Sequence, residues 1–222
     1  MGAADRRPRF ALNSAQIKAI AAGLMVIDHI GVVFFPQTLL FRYVGRLSFP
    51  LFCWLLAQGE RRTRYIVRYG VRLFVFGVIS QPIYGALFNT AQLNVLFTLL
   101  VGLVTLRLGR MLPQTTSLIW ATGILVATLI PMDGSGYGVA IMLLMGQPMT
   151  LLWWGAWLML HGLLAISGQF YVAMSSWVMQ IWAAPAPLIA ALASGDRGPK
   201  IRWFYWFYPG HLLALWLIRR MV

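Results

Sequence analysis

Three side chains able to do chemistry stand in an otherwise apolar stretch, residues 17–35 (IKAIAAGLMVIDHIGVVFF): Lys18, Asp28 and His29. An imidazole both takes and gives a proton near neutral pH, which makes His29 a candidate general base or nucleophile. The nineteen residues reach about 28 Å as a helix, the thickness of a bilayer's hydrocarbon. These groups therefore fall within a membrane span, where ionisable side chains mark pathways and sites. At about 100° per residue, the eleven steps from Lys18 to His29 turn through roughly 1100°, three turns plus about 20°. The two share one face, about 16 Å apart along the axis, lysine at the surface and imidazole near mid-membrane. Asp28 points about 100° aside, toward another helix's donor or an arginine such as Arg46. The plainer readings are a histidine hydrogen-bonded between helices and a lysine that snorkels to the headgroups as a topology anchor.

Arg42 and Arg46 stand one helical turn apart and start from the non-cytoplasmic side, against the usual charge bias. Interface anchoring explains Arg42, whereas Arg46, a turn deeper, needs a carboxylate, a carbonyl or a substrate. Arg61, Arg64, Arg68 and Arg72, spaced three, four and four residues apart, are expected to form one stripe down the start of a helix, suited to a cofactor's phosphates. Further candidates are Asp133 and Tyr137 in the turn PMDGSGYG, and Tyr208 and His211 in the closing WFYWFYPGHLLALWLIRRMV. Tyr137 and the tryptophans read as an aromatic belt, with Tyr208 the exception that faces a site beside His211. A zinc site from His29, His161, His211 and Asp28 can be drawn, but no two of these histidines have helical ligand spacing, and no metal is expected. Cys53 is the sole cysteine, which excludes an intramolecular disulfide and a cysteine cage.

The elements that must position these residues follow from composition. With 60% hydrophobic and 10% charged residues and a mean hydropathy of +0.74, the chain is too apolar for a soluble domain of 222 residues. Its long continuous apolar runs are helical spans, not barrel strands. The fold class is all-α: a polytopic integral membrane helix bundle of about eight to nine transmembrane segments. The spans expected are residues 17–35, 40–58, a third ending near Tyr84 with an interruption at Ser80, Gln81 and Pro82, then 93–109, 117–130, 150–167, 171–192 with kinks at Pro185 and Pro187, and a last one containing Pro209. The segment after Tyr137, VAIMLLMG, is too short to cross alone and reads as a half-helix. The expected division is a cytoplasmic tail, residues 1–14, and a single transmembrane domain, residues 15–222. No cleavage pattern precedes the first helix, which is expected to be retained.

The formal charge of +13 lies mostly in short basic clusters at the ends of apolar runs, a positive-inside pattern and not a nucleic-acid groove. Arg6, Arg7 and Arg9 place the N-terminus in the cytoplasm; Arg61, Arg62 and Arg64 return there after two spans, Arg107 and Arg110 after four. If the short segment after Tyr137 crosses, Arg197, Lys200 and Arg202 are cytoplasmic and Arg219 and Arg220 outside; if it is re-entrant, the two groups exchange sides. Three charges against two favour nine segments.

The run LNSAQIKAIAAGLMVIDHIG, then FRYVGRLSFPLFCWLLAQGERRTRYIVRYGVRL, NVLFTLLVG, MDGSGYGV and FYPGHLLAL together resemble the TraX family of conjugative pilin acetylation proteins, from about residue 13 to 220. The basic residue, ten residues, then histidine of the first helix is also similar to the pattern of membrane acyltransferase-3 proteins, which move acyl groups from cytoplasmic acyl-CoA to acceptors outside; Lys18 and His29 match it. The resemblance implies a multi-pass protein of the bacterial inner membrane that transfers an acetyl group from acetyl-CoA to the N-terminal amine of a pilin subunit or another extracytoplasmic acceptor. On that view Lys18, Arg61, Arg64, Arg68 and Arg72 meet the cofactor, and His29 acts as general base or forms an acyl-imidazole. Arg46 stabilises the oxyanion, with Asp28, Asp133 and His211 as orienting groups or an acceptor-side base. A non-catalytic membrane factor for pilin insertion and a small transporter are the rival readings.

Overall fold

The computed structural model describes residues 11–170, 179–201 and 203–221. The basic tail with Arg6, Arg7 and Arg9, the start of the expected span 171–192, and Arg202 lie outside the described residues. Among those described, the fold is helical, with only two isolated β-bridges.

Helix α1 (Ser14–Phe34) begins at a capping box. The Asn13 side chain accepts from the Gln16 N–H at 3.0 Å, and the Gln16 side chain accepts from the Asn13 N–H at 2.9 Å, so two otherwise orphaned amides are satisfied. The expected second span is present as Leu39–Arg62, in two helical pieces, α2 (Leu39–Gly45) and α3 (Ser48–Arg62), joined by a turn at Arg46 and Leu47. Packing is close just before this turn: a Cβ at Gly45 would lie 2.3 Å from Asp28 Cβ, so α2 can sit on α1 only through a residue without a side chain.

Helix α4 (Ile66–Phe88) corrects two expectations. It continues through Pro82 without interruption. The Gln81 side chain reaches across to the next segment, donating to the Gln92 carbonyl at 2.8 Å and accepting from the Asn94 N–H at 2.9 Å. The arginine stripe is not one helix face, because α3 ends at Arg62, Thr63 is extended and α4 begins at Ile66. Arg61 therefore belongs to a different helix from Arg68 and Arg72.

Asn94 fixes the next element, α5 (Val95–Met111). Fully buried, it caps α5 by accepting from the Leu96 N–H at 3.1 Å, donates to the Gly77 carbonyl at 2.8 Å, and donates to Gln81 at 2.8 Å. Asn94→Ala removes the cap and both side-chain bonds to α4, leaving the Gln81 oxygen only the backbone N–H of residue 94, so we expect it to lower unfolding free energy by about 2–3 kcal/mol. Denaturant unfolding in detergent measures this; a loss under about 0.5 kcal/mol would remove the locking role.

Helices α6 (Thr116–Leu129) and α7 (Ser135–Met145) follow a sharp turn at residues 113–115, and α8 (Leu151–Phe170) succeeds them. A 3-10 turn (Met179–Ala183) leads into the short α9 (Ala186–Ala191), and α10 (Phe204–Met221) ends the chain. Contacts give the direction of each leg. Leu93 bridges to Met132, so α5 and α6 form a hairpin whose open ends meet. Glu60, fully buried, binds Arg110 at 2.7 Å and Arg107 at 3.5 Å, and Arg61 donates to the Gly146 carbonyl, so the ends of α3, α5 and α7 gather at one place. The Trp153 indole donates to the Leu144 carbonyl, which turns α8 back along α7. The Leu12 N–H donates to the Leu192 carbonyl, returning α9 to the start of α1. Arg219 donates to the Leu87 carbonyl at 2.6 Å, so α10 finishes beside the end of α4.

Taken as α1, α2 with α3, α4, α5, α6, α7, α8, the 3-10 turn with α9, and α10, the described residues make nine legs of alternating direction. Arg197 and Lys200 fall at the Lys18 end and Arg219 at the opposite end, the arrangement of the nine-segment reading. Among the described residues, Ser14–Phe34, Leu39–Arg62 and Ile66–Phe88 are long and apolar enough to cross a bilayer, and the bent pair Val95–Met111 and Pro113–Leu129 raises the count to four if taken as one span. Helix α7 is the half-helix expected: eleven residues, about 16 Å, buried against α3, α5 and α6. Gly134, at φ +86°, makes the left-handed turn from which it starts.

Candidate functional site

Two cavities follow the Lys18 and His29 face of α1. The outer one, about 440 Å³, begins at the Lys18 end, where Lys18, Arg62, Arg197 and Lys200 supply positive charge. It deepens between apolar and aromatic side chains of α1, α3, α4, α5 and α10, with Tyr69, Phe76 and Tyr208 among them. The inner one, about 90 Å³, holds Asp28, His29, Arg46, Asp133 and Tyr137, with Gln180. Met25, Phe52, Val95 and Leu99 line both, so the two chambers adjoin across this ring. Helical spacing accounts for the arrangement: Lys18, Met25 and His29 lie on one face, seven and four residues apart.

His29 is bound through one nitrogen. Its Nδ1 lies 2.9 Å from His211 Nε2, with the two rings within 9° of parallel. His211 Nδ1 in turn lies 2.8 Å from the Phe207 carbonyl oxygen, one turn earlier on α10. A carbonyl only accepts, so His211 carries its proton on Nδ1 and presents Nε2 as an acceptor; His29 Nδ1–H then donates to it. By this assignment the neutral His29 keeps a lone pair on Nε2, and nothing among the described residues bonds that nitrogen. His161 repeats the device with its own neighbours. Its Nδ1 donates to the Trp157 carbonyl at 2.8 Å, and its Nε2 accepts from the Tyr137 hydroxyl at 3.3 Å.

Asp28 is turned aside from His29, as the helical period requires, and meets both arginines: Arg46 Nη2 at 2.7 Å and Arg42 Nη1 at 2.9 Å. Arg42 is thus an ion-pair partner and not an interface anchor; it lies one helical turn before Arg46 and shares its face. Arg46 lines the inner chamber, and its buried Nε has no hydrogen-bond partner among the described residues. Across the chamber, Asp133 follows α6; its backbone N–H donates to the Leu93 carbonyl at 2.8 Å, and Thr98 donates to its carbonyl.

Tyr137, expected in an aromatic belt, is buried in the bundle at the inner chamber. Tyr208 does face the cavity beside His211, its ring 5.5 Å away edge-on and its buried hydroxyl without a hydrogen-bond partner among the described residues. Arg61, Arg64, Arg68 and Arg72 do not line the outer chamber. Arg68 lies over the Tyr65 ring and Arg72 over that of Tyr205. The α4 residues that line it, Tyr69, Leu73 and Phe76, are one position further round the helix.

Sequence reasoning read Arg62, Arg197 and Lys200 as orientation charges. The signal it passed over is the loop GDRGPK, whose Gly195 and Gly198 take positive φ and bring both cations over the chamber mouth. The loop is tied there: Ser14 donates to the Asp196 carbonyl through its N–H at 2.9 Å and its hydroxyl at 3.0 Å.

A family model described as TraX protein matches residues 13–219. The probable fimbrial assembly protein FimC, serogroup H1, of Dichelobacter nodosus is 32% identical, over 91% of this chain and 94% of its own length. Protein TraX of Escherichia coli is 31% identical, over 58% of this chain and 52% of its own. The uncharacterized protein RP591 of Rickettsia prowazekii (strain Madrid E) is 29% identical over 39% of this chain. No solved structure matches the chain. The family match takes in Lys18, His29, Arg46, Asp133 and His211 alike, and this helical membrane protein belongs to the TraX family.

Proposed function

We propose that this protein is an acetyltransferase of the bacterial inner membrane, N-terminus cytoplasmic, that moves an acetyl group from cytoplasmic acetyl-CoA to the N-terminal amine of a pilin subunit. The observation that carries this is the pair of adjoining chambers, basic at the mouth and ending on His29 with one ring nitrogen unbonded. The donor's phosphates meet Lys18, Arg62, Arg197 and Lys200, and its pantetheine arm lies in the apolar outer chamber, which brings the thioester to the ring. The acceptor amine enters the inner chamber. Its nitrogen attacks the thioester carbonyl carbon while His29 Nε2 takes the proton it sheds. The oxyanion so formed accepts from Arg46, whose Nε is the unpaired donor there. Collapse breaks the carbon–sulfur bond, and the proton on His29 passes to the departing thiolate.

Membranes containing the protein, labelled acetyl-CoA and the candidate pilin, followed by mass analysis of the pilin N-terminus, test the reading. An unmodified amine would overturn it; pilin bound but not acetylated would favour the insertion factor, and uptake of a solute without acetyl-CoA the transporter. A second measurement concerns the mouth. Replacing Arg197 and Lys200 together by alanine should weaken acetyl-CoA binding about tenfold, with the effect reduced at high salt. Arg64→Ala and Arg68→Ala should change it less than about twofold. Equal effects from both pairs would place the phosphates elsewhere.

A further inference from the structure

We infer that Asp133 is a second base of this site: it receives the acceptor amine in its ammonium form and takes the first of the two protons the nitrogen must lose, leaving the next to His29. This rests on the acyl-transfer reading above. A free α-amine, with a pKa of about 7.7–8.0, is mostly ammonium at neutral pH, and an ammonium has no lone pair with which to attack. His29 Nε2 offers one lone pair, and the attack itself uses it. The earlier proton needs another acceptor in the same chamber.

Asp133 is placed for that role. It lines the inner chamber together with His29. Of the three acids inside the bundle, Asp28 and Glu60 each hold two arginines, whereas no ion pair joins Asp133 to a lysine or arginine among the described residues. Its backbone is clamped against the start of α5: its N–H donates to the Leu93 carbonyl at 2.8 Å, its carbonyl accepts from Thr98, and the Leu93 N–H donates to the Pro131 carbonyl at 3.0 Å. The turn between α6 and α7 is thereby fixed, and the half-buried side chain keeps one place on the chamber wall. The Tyr84 hydroxyl, from α4, donates to its carboxylate. One hydroxyl leaves most of a carboxylate's acceptor positions open.

The charges around it favour a cation. Asp28 of α1, Arg42 of α2, Arg46 of the turn after it and Tyr208 of α10 face Asp133. Two arginines against Asp28 leave one positive charge, which an ionised Asp133 balances. Without that carboxylate the chamber would be positive and would repel an ammonium. In the reaction, the ammonium donates to Asp133 and gives up its proton, which forms the carboxylic acid and frees the nitrogen lone pair. The nitrogen then bonds to the thioester carbon, His29 takes the next proton, the carbon–sulfur bond breaks, and the thiolate receives the proton held on His29. Asp133 returns its own proton to water after the amide leaves, so ammonium and thioester give amide, thiol and one free proton.

The test uses the full chain, acetyl-CoA and two short peptide acceptors, alike except that fluorine beside the N-terminal amine of one lowers that amine's pKa. The kcat/KM for each is followed from pH 6 to 9 in the wild type and in Asp133→Asn, which keeps an acceptor for Tyr84, with acetyl-CoA binding as the check of fold. In the wild type the ratio of the two peptides should stay constant within about fivefold from pH 6 to 8. In Asp133→Asn the ordinary peptide should fall about a hundredfold at pH 6, where about one amine in a hundred is neutral, and recover as the pH passes 8, while the fluorinated peptide falls far less. A wild-type ratio that follows the amine's ionisation overturns the inference. So does a variant that loses the same factor with both peptides at every pH, which would make Asp133 only the counter-charge of the arginines or the partner of Tyr84. Either result leaves acyl transfer standing. If Asp133→Asn does not bind acetyl-CoA, the wild-type ratio decides alone. A wild type that acetylates neither peptide removes the acyl-transfer reading and this inference with it.

Discussion

His29→Ala is expected to lower acetyl transfer to the acceptor amine by about a thousandfold, with donor binding and thermal unfolding close to wild type. The size follows from what is lost: among the described residues, the one imidazole lining the inner chamber. The side chain itself is only partly buried and its one hydrogen bond among the described residues is to His211. Its removal therefore costs little in packing, and loss of activity cannot be put down to loss of fold. His211→Ala separates a positioning role from bulk. His211 holds the Nδ1 proton of His29 and so keeps the other nitrogen unprotonated; without it the imidazole loses its fixed tautomer. We expect kcat to fall about ten- to a hundredfold at unchanged KM for acetyl-CoA, with partial recovery in His211→Gln, whose amide oxygen can accept the same proton. Retained activity in a folded His29→Ala would sink the catalytic assignment. Equal losses in His211→Ala and His211→Gln would mean that His211 only fills space.

Asp28→Ala should be among the most destabilising single changes in the bundle, by about 3–5 kcal/mol. One carboxylate there holds two guanidinium groups, at 2.7 and 2.9 Å, with its own side chain 10% exposed and those of Arg46 and Arg42 only 19% and 25%. Removing it leaves two partly buried cations side by side, and membrane surroundings offer them little compensation. The contact also joins α1 to the short α2 and to the break before α3, so the damage reaches the helix that carries Phe49 and Phe52. Asp28→Asn keeps the shape and loses the charge, and should cost somewhat less. Unfolding in detergent, followed by intrinsic tryptophan fluorescence, measures both; a loss below about 1 kcal/mol for the alanine variant would show that the pair contributes little. Gly45 belongs to the same unit, since a Cβ there would lie 2.5 Å from Asp28 Oδ1.

Several features of this unit are legible in the sequence. An aspartate one residue from a histidine in a helix must point about 100° away from it, and an arginine without a carboxylate nearby in sequence must find one in space. Asp28 and Arg46 could be matched on those grounds. Arg42 reads as an interface anchor, yet it lies one intact helical turn before Arg46 and so reaches the same carboxylate. The arginine stripe failed because the helix does not run through it. Spacings of three, four and four describe one face only while the helix is unbroken, and Thr63 breaks it.

Whatever repeats with the helical period or accumulates along the chain is readable from the residues alone: an apolar polytopic bundle, the half-length α7, and Lys18 and His29 on one face. Each is local, because a period of 3.6 residues and a run of apolar side chains need no knowledge of any other segment. Which helices meet is settled only by their assembly. His29 and His211 are 182 residues apart in the chain and 2.9 Å apart in space, and the cations over the chamber come from α1, the end of α3 and a loop near the end of the chain. Such pairings are chosen by which surfaces allow backbones to approach, as Gly45 allows at Asp28, and by buried locks such as Asn94 between α4 and α5. Neither leaves a periodic trace, so the partner that fixes the free nitrogen of His29 becomes visible only once the helices are assembled.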